Sequence, residues 1–219
     1  MFSRRTDNRN MFGAVGKPSA PFGEYMKKNK FEKELPQGYE AAFTVDAESR
    51  KTAVLMNVFA LVITAILIAT SYFLIKPTGF IDNFRISRYF IVIGVLIAYI
   101  VLHELVHGIA YKYLTKQKLK FGITFSAAYC GVPDIYVYRN TALVSLLAPL
   151  TVFSVLFILS AVFLKNEWDK FYALILFSVH FGSCSGDIYD TLLYLFRFKD
   201  NTVLMRDTGP KQTFYVLKK

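Results

Sequence analysis

Cysteine and histidine are both scarce in this chain. Only Cys130 and Cys184 occur among 219 residues, which is too few for a disulfide framework. Two free thiols in a cytoplasm-facing protein are the default interpretation of such a pair. Histidine occurs three times, and two of the three fall within one short motif.

The N-terminal residues also do not resemble a cleavable export signal. Residues 1–51 contain no apolar core of signal-peptide length, so we expect the N-terminus to stay in the cytoplasm. Basic residues outnumber acidic ones, 26 to 16. They are spread over polar segments between apolar runs, which is typical of a membrane-related charge bias. We therefore expect no nucleic-acid partner.

Apolar residues are abundant, at 54% of the chain with 21 Phe and 14 Tyr. Four segments are long enough to cross a hydrocarbon core, which takes roughly 20 helical residues: 52–75, 88–114, 141–164 and 170–198. The fold class predicted is an all-α membrane protein with four transmembrane helices in the lipid bilayer. Of the 26 Lys and Arg, 21 lie in or beside the two tails and the central loop, so the positive-inside rule predicts that both termini are cytoplasmic.

The predicted organisation is a cytoplasmic tail over residues 1–51, a membrane domain over 52–198 and a second cytoplasmic tail over 199–219. Within the membrane domain, residues 118–139 read as a β-hairpin in which LKFGITF pairs with IYVYR across a Gly-Val-Pro-Asp turn. The C-terminal tail predicts another hairpin, with Asp-Thr-Gly-Pro as its turn.

The second apolar segment carries the motif H-E-x-x-H in VLHELVHGIAYKYL. On a helix, His103 and His107 share one face and both can bind Zn²⁺, while Glu104 can serve as general base toward a water activated by the metal. The alternative is a pair of histidines hydrogen-bonded to neighbouring helices. We favour zinc, because a glutamate within a membrane span costs a few kcal/mol unless something holds it.

Depth in the membrane selects a third ligand for that zinc. At the helical rise, His107 and His103 lie roughly 10 and 16 Å from the cytoplasmic end of their segment. In the fourth segment Asp187 lies near 16 Å, Asp190 near 12 Å and His180 near 27 Å, close to the far side. We favour Asp187 as the third ligand, and Asp190 is the alternative ligand or a partner that orients a histidine.

Small and unusual residues accompany these candidates. Gly182 and Gly186 form G-x-x-x-G, which predicts close approach of a neighbouring helix and would bring Asp187 to the metal. Pro149 in the third segment frees a backbone carbonyl level with the proposed zinc. Cys184 reads as a small buried residue rather than a zinc ligand.

These residues carry a family resemblance over residues 51–198. HELVHGIAY at the end of one span, a β-rich insertion, Ala148-Pro149 and Gly186-Asp187 resemble intramembrane zinc metalloproteases of the site-2 protease type. The layout is more closely similar to the short bacterial membrane proteins grouped as zincin peptidases. The site-2 group places its aspartate in Asn-Pro-Asp-Gly or Leu-Asp-Gly, whereas this chain has Ser-Gly-Asp-Ile-Tyr-Asp.

The resemblance implies His103 and His107 as zinc ligands, Glu104 as the catalytic acid/base and Asp187 as the third ligand. It also implies a loop strand that pairs with an extended substrate, a role for which KFGITF is the candidate.

The hypothesis that follows is a multi-pass zinc metalloprotease of the bacterial inner membrane, cleaving membrane-associated protein or peptide substrates near the cytoplasmic face. One alternative is a non-catalytic metal-binding scaffold or transport component with a closed, four-ligand site. Another is zinc-dependent hydrolysis of a lipid or small amide. The sequence does not indicate an oligomeric state.

Overall fold

The computed structural model describes residues 30–79, 86–124 and 127–218, and most of the chain is helical. The helices are α1 (Arg50–Ile75), α2 (Ile86–Thr115), α3 (Arg139–Phe163), α4 (Glu167–Ser183) and α5 (Ser185–Leu192), the last continuing into a π-helical turn (Leu193–Arg197). The strands are β1 (Phe31–Glu32), β2 (Tyr39–Asp46), β3 (Lys120–Ile123), β4 (Ala128–Gly131), β5 (Tyr136–Tyr138), β6 (Leu204–Asp207) and β7 (Lys211–Leu217).

Helices α1, α2 and α3 are long and apolar enough to cross a membrane. Their outer faces expose large apolar side chains, including Leu61, Phe73, Phe90 and Val162. Soluble monomers rarely expose apolar surface of this extent. Long helices with such faces are compatible with a membrane protein.

The fourth predicted span is a broken helix. Helix α4 and the segment from Ser185 to Arg197 meet at an angle of 48°. The break falls in Gly-Ser-Cys-Ser-Gly, residues 182–186, and clustered Gly and Ser are a common cause of sharp kinks. Within the described residues there are therefore three unbroken candidate spans and a bent pair that forms either a fourth span or a re-entrant segment.

Five of the strands form one antiparallel sheet in the order β1-β5-β6-β7-β2. Thr44 of β2 lies opposite Thr213 of β7, and Val137 of β5 lies opposite Met205 of β6. The sheet thus joins residues from both ends of the chain to the central loop. All three segments consequently lie at the same end of the helices.

The predicted C-terminal hairpin is confirmed, since β6 and β7 pair across the turn that contains Gly209. The predicted pairing in the central loop is wrong. β3 pairs with β4, with Ile123 opposite Ala128, whereas the YVY of IYVYR forms β5 in the large sheet. The predicted turn is present, since the backbone N–H of Ile135 donates to the Val132 carbonyl at 3.3 Å. The N–H of Val132 donates to the Asp207 carbonyl at 2.9 Å, so this turn leads from the small hairpin into the large sheet.

A buried cluster lies between the large sheet and the neighbouring ends of the helices. Its members are largely aromatic and aliphatic, and they include Tyr111, Leu146, Tyr194, Phe198 and Phe214. The rings of Phe198 and Phe214 stack with centroids 4.8 Å apart. This cluster fixes the sheet against α2, α3 and the π-helical turn.

The glycine pair predicted to bring helices together behaves differently at its two positions. A Cβ on Gly182 would lie 2.7 Å from the carbonyl oxygen of Ala60 and would also meet the Thr64 side chain, both on α1. A Cβ on Gly186 would meet nothing within 4 Å in the described part of the chain. Close approach therefore occurs at Gly182 alone, and it brings in α1 rather than the histidine helix α2.

We expect Gly182→Ala to destabilise the protein by roughly 1–3 kcal/mol, because α1 must move away from the added methyl group. Thermal unfolding of the purified protein in detergent would measure the effect. Gly94→Ala is the matched control, since its Cβ would meet none of the described residues within 4 Å. Equal unfolding temperatures for the two variants would contradict the contact with α1.

Candidate metal centre

One face of α2 carries polar side chains at every fourth position. Tyr99, His103, His107 and Tyr111 follow each other at intervals of four and are all buried, although many large apolar residues of the same helix are exposed. Residues four apart lie on the same side of a helix. The motif is therefore the centre of a longer polar stripe that faces the protein interior.

His103, His107 and Asp187 come together at the middle of this stripe. The two histidine Nε2 atoms lie 3.2 Å apart. His103 Nε2 lies 3.3 Å from one carboxylate oxygen of Asp187, and His107 Nε2 lies 3.3 Å from the other. Asp187 reaches them from the first turn of α5, directly after the helix break.

These distances fit a zinc ion. Ligand atoms in a tetrahedron with metal bonds of about 2.0–2.1 Å are separated by about 3.3 Å. The two Nε2 atoms lie 3.2 Å apart, and each lies 3.3 Å from one Asp187 oxygen. Two imidazoles and a carboxylate are also a ligand set that catalytic zinc uses, and three protein ligands leave a fourth position open. The three residues predicted from the sequence thus form a group that can hold the metal.

Pro149 takes part in orienting His107. A proline inside α3 has no N–H, so the carbonyl of Ser145, four residues earlier, lacks its usual helical donor. His107 Nδ1 lies 2.8 Å from that oxygen. Because a carbonyl only accepts, Nδ1 carries the proton and Nε2 is free for a metal. The structure confirms the freed carbonyl predicted from Pro149 and gives it a partner.

His103 is oriented by a different group. Its Nδ1 lies 2.9 Å from the hydroxyl of Tyr99, one turn earlier on the same helix. Both histidines therefore have a partner on Nδ1, which is the usual arrangement for imidazoles that bind metals through Nε2.

Glu104 lies beside the three candidate ligands on the wall of a cavity of about 380 Å³. Residues of α1, α2, α5, the small hairpin and the β6–β7 turn line this cavity, and α1 contributes Ala53, Met56 and Ala60. Glu104 is half-buried. A carboxylate in this place can exchange a proton with water or with a bound molecule in the cavity.

Asp190 lines the same cavity and is buried. Its Oδ1 atom has no hydrogen-bond partner within residues 30–79, 86–124 and 127–218. The Nδ1 atoms of His103 and His107 bond instead to Tyr99 and Ser145. Asp190 does not orient a histidine in this structure, and the carboxylate that meets both Nε2 atoms belongs to Asp187.

His180 lies much closer to the motif than the depth comparison predicts. Its Nδ1 is 2.9 Å from the Tyr99 hydroxyl, and its ring centroid is 6.5 Å from that of His103. His180 precedes Asp187 by seven residues, so both lie on one side of the fourth segment. His180 lies one turn deeper than His103, beside Tyr99. The interval of seven residues between His180 and Asp187 is the sequence feature that indicates this position.

Because His180 lies near His103, it belongs to a second group of possible metal ligands. His103, His180 and the fully buried Cys184 offer ligand atoms within 4.8 Å of one another. The Cys184 sulfur lies 3.7 Å from His180 Nδ1. This group shares His103 with the first group, and the Tyr99 hydroxyl contacts the Nδ1 atoms of both of its histidines.

Asp207 joins the polar stripe to the large sheet. In the sequence this residue is recognisable only as part of the Asp-Thr-Gly-Pro turn. Its carboxylate accepts hydrogen bonds from the Tyr111 hydroxyl at 2.8 Å and the Gly209 N–H at 2.9 Å. Burial raises the pKa of Asp207 to about 6 in spite of these bonds. The carboxyl therefore keeps its proton to a higher pH than an exposed aspartate does, while fixing α2 to the C-terminal hairpin.

Comparison with known proteins adds one match. Residues 96–203, just under half of the chain, match the model of a family described as "Putative zincin peptidase". No curated protein and no solved structure matches the chain significantly. The matched residues include the motif on α2, the small hairpin, α3 and the helix break with Asp187. The match supports a zincin-like family and suggests a zinc metallopeptidase, to which this part of the chain is similar.

Proposed function

We propose that the protein is a membrane-embedded zinc metalloprotease that hydrolyses peptide bonds of membrane-associated substrates near the cytoplasmic face. One observation carries the proposal: the Nε2 atoms of His103 and His107 and the Asp187 carboxylate converge within 3.3 Å, with Glu104 on the wall of the same cavity. The similarity of residues 96–203 to zincin peptidases supports the same chemistry.

His103, His107 and Asp187 would hold the zinc ion through two nitrogens and one carboxylate. Zinc in such a site supplies Lewis acidity, which polarises a carbonyl and makes water a stronger acid. Glu104 would accept a proton from water and return it to the departing nitrogen. Ser145 and Tyr99 keep the two imidazoles in the tautomer that this arrangement requires.

The cytoplasmic placement rests on charge and on the sheet. The N-terminal segment, the central loop and the C-terminal segment are the basic parts of the chain, and strands from all three form the large sheet. Basic segments stay preferentially on the cytoplasmic side. The sheet end of the helices, which Asp207 joins to the polar stripe, is therefore the proposed cytoplasmic end.

The small hairpin favours a peptide over a lipid as substrate. Ala127, Ala128 and Tyr129 line the cavity, and within the described residues β3 pairs only with β4. An extended peptide can add to the outer edge of β3 through main-chain hydrogen bonds. A lipid has no such pattern of donors and acceptors.

The test is a cleavage assay on the full chain reconstituted in liposomes with single-span peptides of varied sequence. One sample is zinc-loaded, one is stripped with a chelator, and one is stripped and then given zinc again. Mass spectrometry reads new peptide termini, and the extracted lipids are examined for hydrolysis products.

We expect new peptide termini in the two zinc-containing samples, none after stripping, and unchanged lipids. Zinc-dependent lipid products without peptide cleavage would favour a lipid hydrolase. Zinc binding without either product would favour the non-catalytic scaffold. Both results contradict the proposed protease.

A further inference from the structure

Tyr99 places a hydroxyl group deep among apolar helices. The side chain is 5% exposed, and its ring lies 5.1 Å from that of Phe153 and 6.1 Å from that of Phe157, centroid to centroid. A buried hydroxyl costs free energy unless hydrogen bonds replace the water it loses. The partners of this hydroxyl therefore indicate why it is there.

The Tyr99 hydroxyl has three neighbours within hydrogen-bond distance. They are His103 Nδ1 at 2.9 Å, His180 Nδ1 at 2.9 Å and Ser183 Oγ at 2.8 Å. A hydroxyl donates one hydrogen bond and accepts two. If the Nε2 atom of His103 binds a metal, its Nδ1 atom carries the proton and donates a hydrogen bond to the Tyr99 oxygen.

The contacts of the second ring nitrogen of His180, Nε2, determine which group donates the hydrogen bond between Tyr99 and His180. Its Nε2 lies 3.2 Å from Ser154 Oγ and 3.4 Å from the carbonyl of Leu150. A carbonyl can only accept, so Nε2 carries the proton of His180 and Nδ1 accepts from Tyr99. The bonds run in one direction, from His103 through Tyr99 to His180 and on to α3.

The same contacts fix the corner at which the fourth segment breaks. His180 and Ser183 form the last turn of α4. The Ser183 hydroxyl lies 2.8 Å from the Tyr99 oxygen and 2.7 Å from the His180 carbonyl, so its single hydrogen is within reach of both acceptors. Asp187 follows directly on α5. Tyr99 thus ties this corner to α2, one turn from His103.

We propose that Tyr99 is a positioning residue for the metal centre, which orients His103 with Nε2 toward the zinc and holds the α4–α5 corner at the distance where Asp187 completes the ligand set. The inference rests on the proposed metal site. It adds the Tyr99 hydroxyl as the group that holds the ligands in position before the metal binds. His180 is the second positioning residue, because its Nδ1 accepts the hydrogen bond of the Tyr99 hydroxyl.

Tyr99→Phe tests the proposal by removing only the hydroxyl. Zinc affinity of the purified full chain, measured by competition with a chromophoric chelator and without any substrate, should fall about 10–100-fold, as for other partners of metal-binding histidines. Tyr113→Phe is the matched control, since Tyr113 lies on the same helix and is 79% exposed. It should bind zinc as the wild type does.

Two variants of His180 separate hydrogen bonding from packing. His180→Asn keeps an acceptor near the Nδ1 position, whereas His180→Leu removes it. We expect zinc affinity near the wild-type value for the asparagine variant and a reduced affinity for the leucine variant. Equal affinities in both, or no change in Tyr99→Phe, would overturn the proposal.

The sign of the Tyr99→Phe effect also distinguishes the two possible ligand groups. If His103, His180 and Cys184 held the metal through the two Nδ1 atoms, the Tyr99 hydroxyl would compete for those atoms, and its removal would raise zinc affinity. Because no peptide is present, absence of proteolysis affects only the proposed function, while the direction of the affinity change tests Tyr99.

Discussion

Glu104→Gln is expected to keep its zinc and to lose peptide cleavage by about 10²–10⁴-fold, the range that a general acid–base group contributes. Glutamine has nearly the shape of glutamate, so the cavity wall and the two flanking histidines are undisturbed. It cannot accept a proton from water at neutral pH. The loss should therefore appear in turnover and not in metal content.

Cleavage of a peptide that the wild type processes in liposomes, together with the zinc content of the same sample, measures this prediction. Glu167→Gln makes the same chemical change at an exposed position in the first turn of α4 and should leave both quantities unchanged. Wild-type turnover in Glu104→Gln would remove Glu104 from the mechanism. Loss of zinc from that variant would instead assign it a binding role.

Asp187→Asn is expected to lose zinc, with an affinity reduced by more than about 100-fold. The reason is that its carboxylate lies 3.3 Å from both histidine Nε2 atoms, and even groups that only orient a ligand change affinity roughly 10–100-fold. The neutral amide fills the same space but supplies a much weaker ligand. Metal analysis after equilibration with a weak chelator provides the measurement.

Asp190→Asn is the matched control for Asp187, since both aspartates lie on α5, line the same cavity and are changed to the same amide. We expect it to retain zinc. Zinc loss from Asp190→Asn with retention in Asp187→Asn would reverse the ligand assignment.

Much of the candidate site follows from local spacing. The histidines four apart meet because a helix places them one turn apart, and the helix itself follows from an apolar run that is easy to recognise. Pro149 was informative because the loss of its N–H is local, and the freed Ser145 carbonyl meets His107. Such features depend on a few neighbouring residues and can be derived from the sequence.

Depth along a straight helix places Asp187 level with the two histidines, beside which it lies in the structure, but it puts His180 too far from them. The estimate counted residues from one end and ignored which side of the helix each residue faces. His180 and Asp187 are two turns apart on the same side, so the polar stripe of α2 meets both of them. Tyr99 was missed for the same reason, although it precedes His103 by four residues.

The strand pairing depended on contacts that no local pattern specifies. LKFGITF and IYVYR are both β-prone, and their alternation favours pairing with each other. In the structure β5 pairs with β6 of the C-terminal segment, and β2 pairs with β7 from the opposite end of the chain. Val132 donating to the Asp207 carbonyl explains why the Gly-Val-Pro-Asp stretch leads into that sheet.

The most direct test of the central claim is zinc-edge X-ray absorption of the zinc-loaded full chain, which reads the atoms bound to the metal. A site made by His103, His107 and Asp187 predicts nitrogen and oxygen neighbours only, at about 2.0–2.2 Å. A sulfur neighbour at about 2.3 Å would assign the metal to Cys184 with His103 and His180 and would contradict the account.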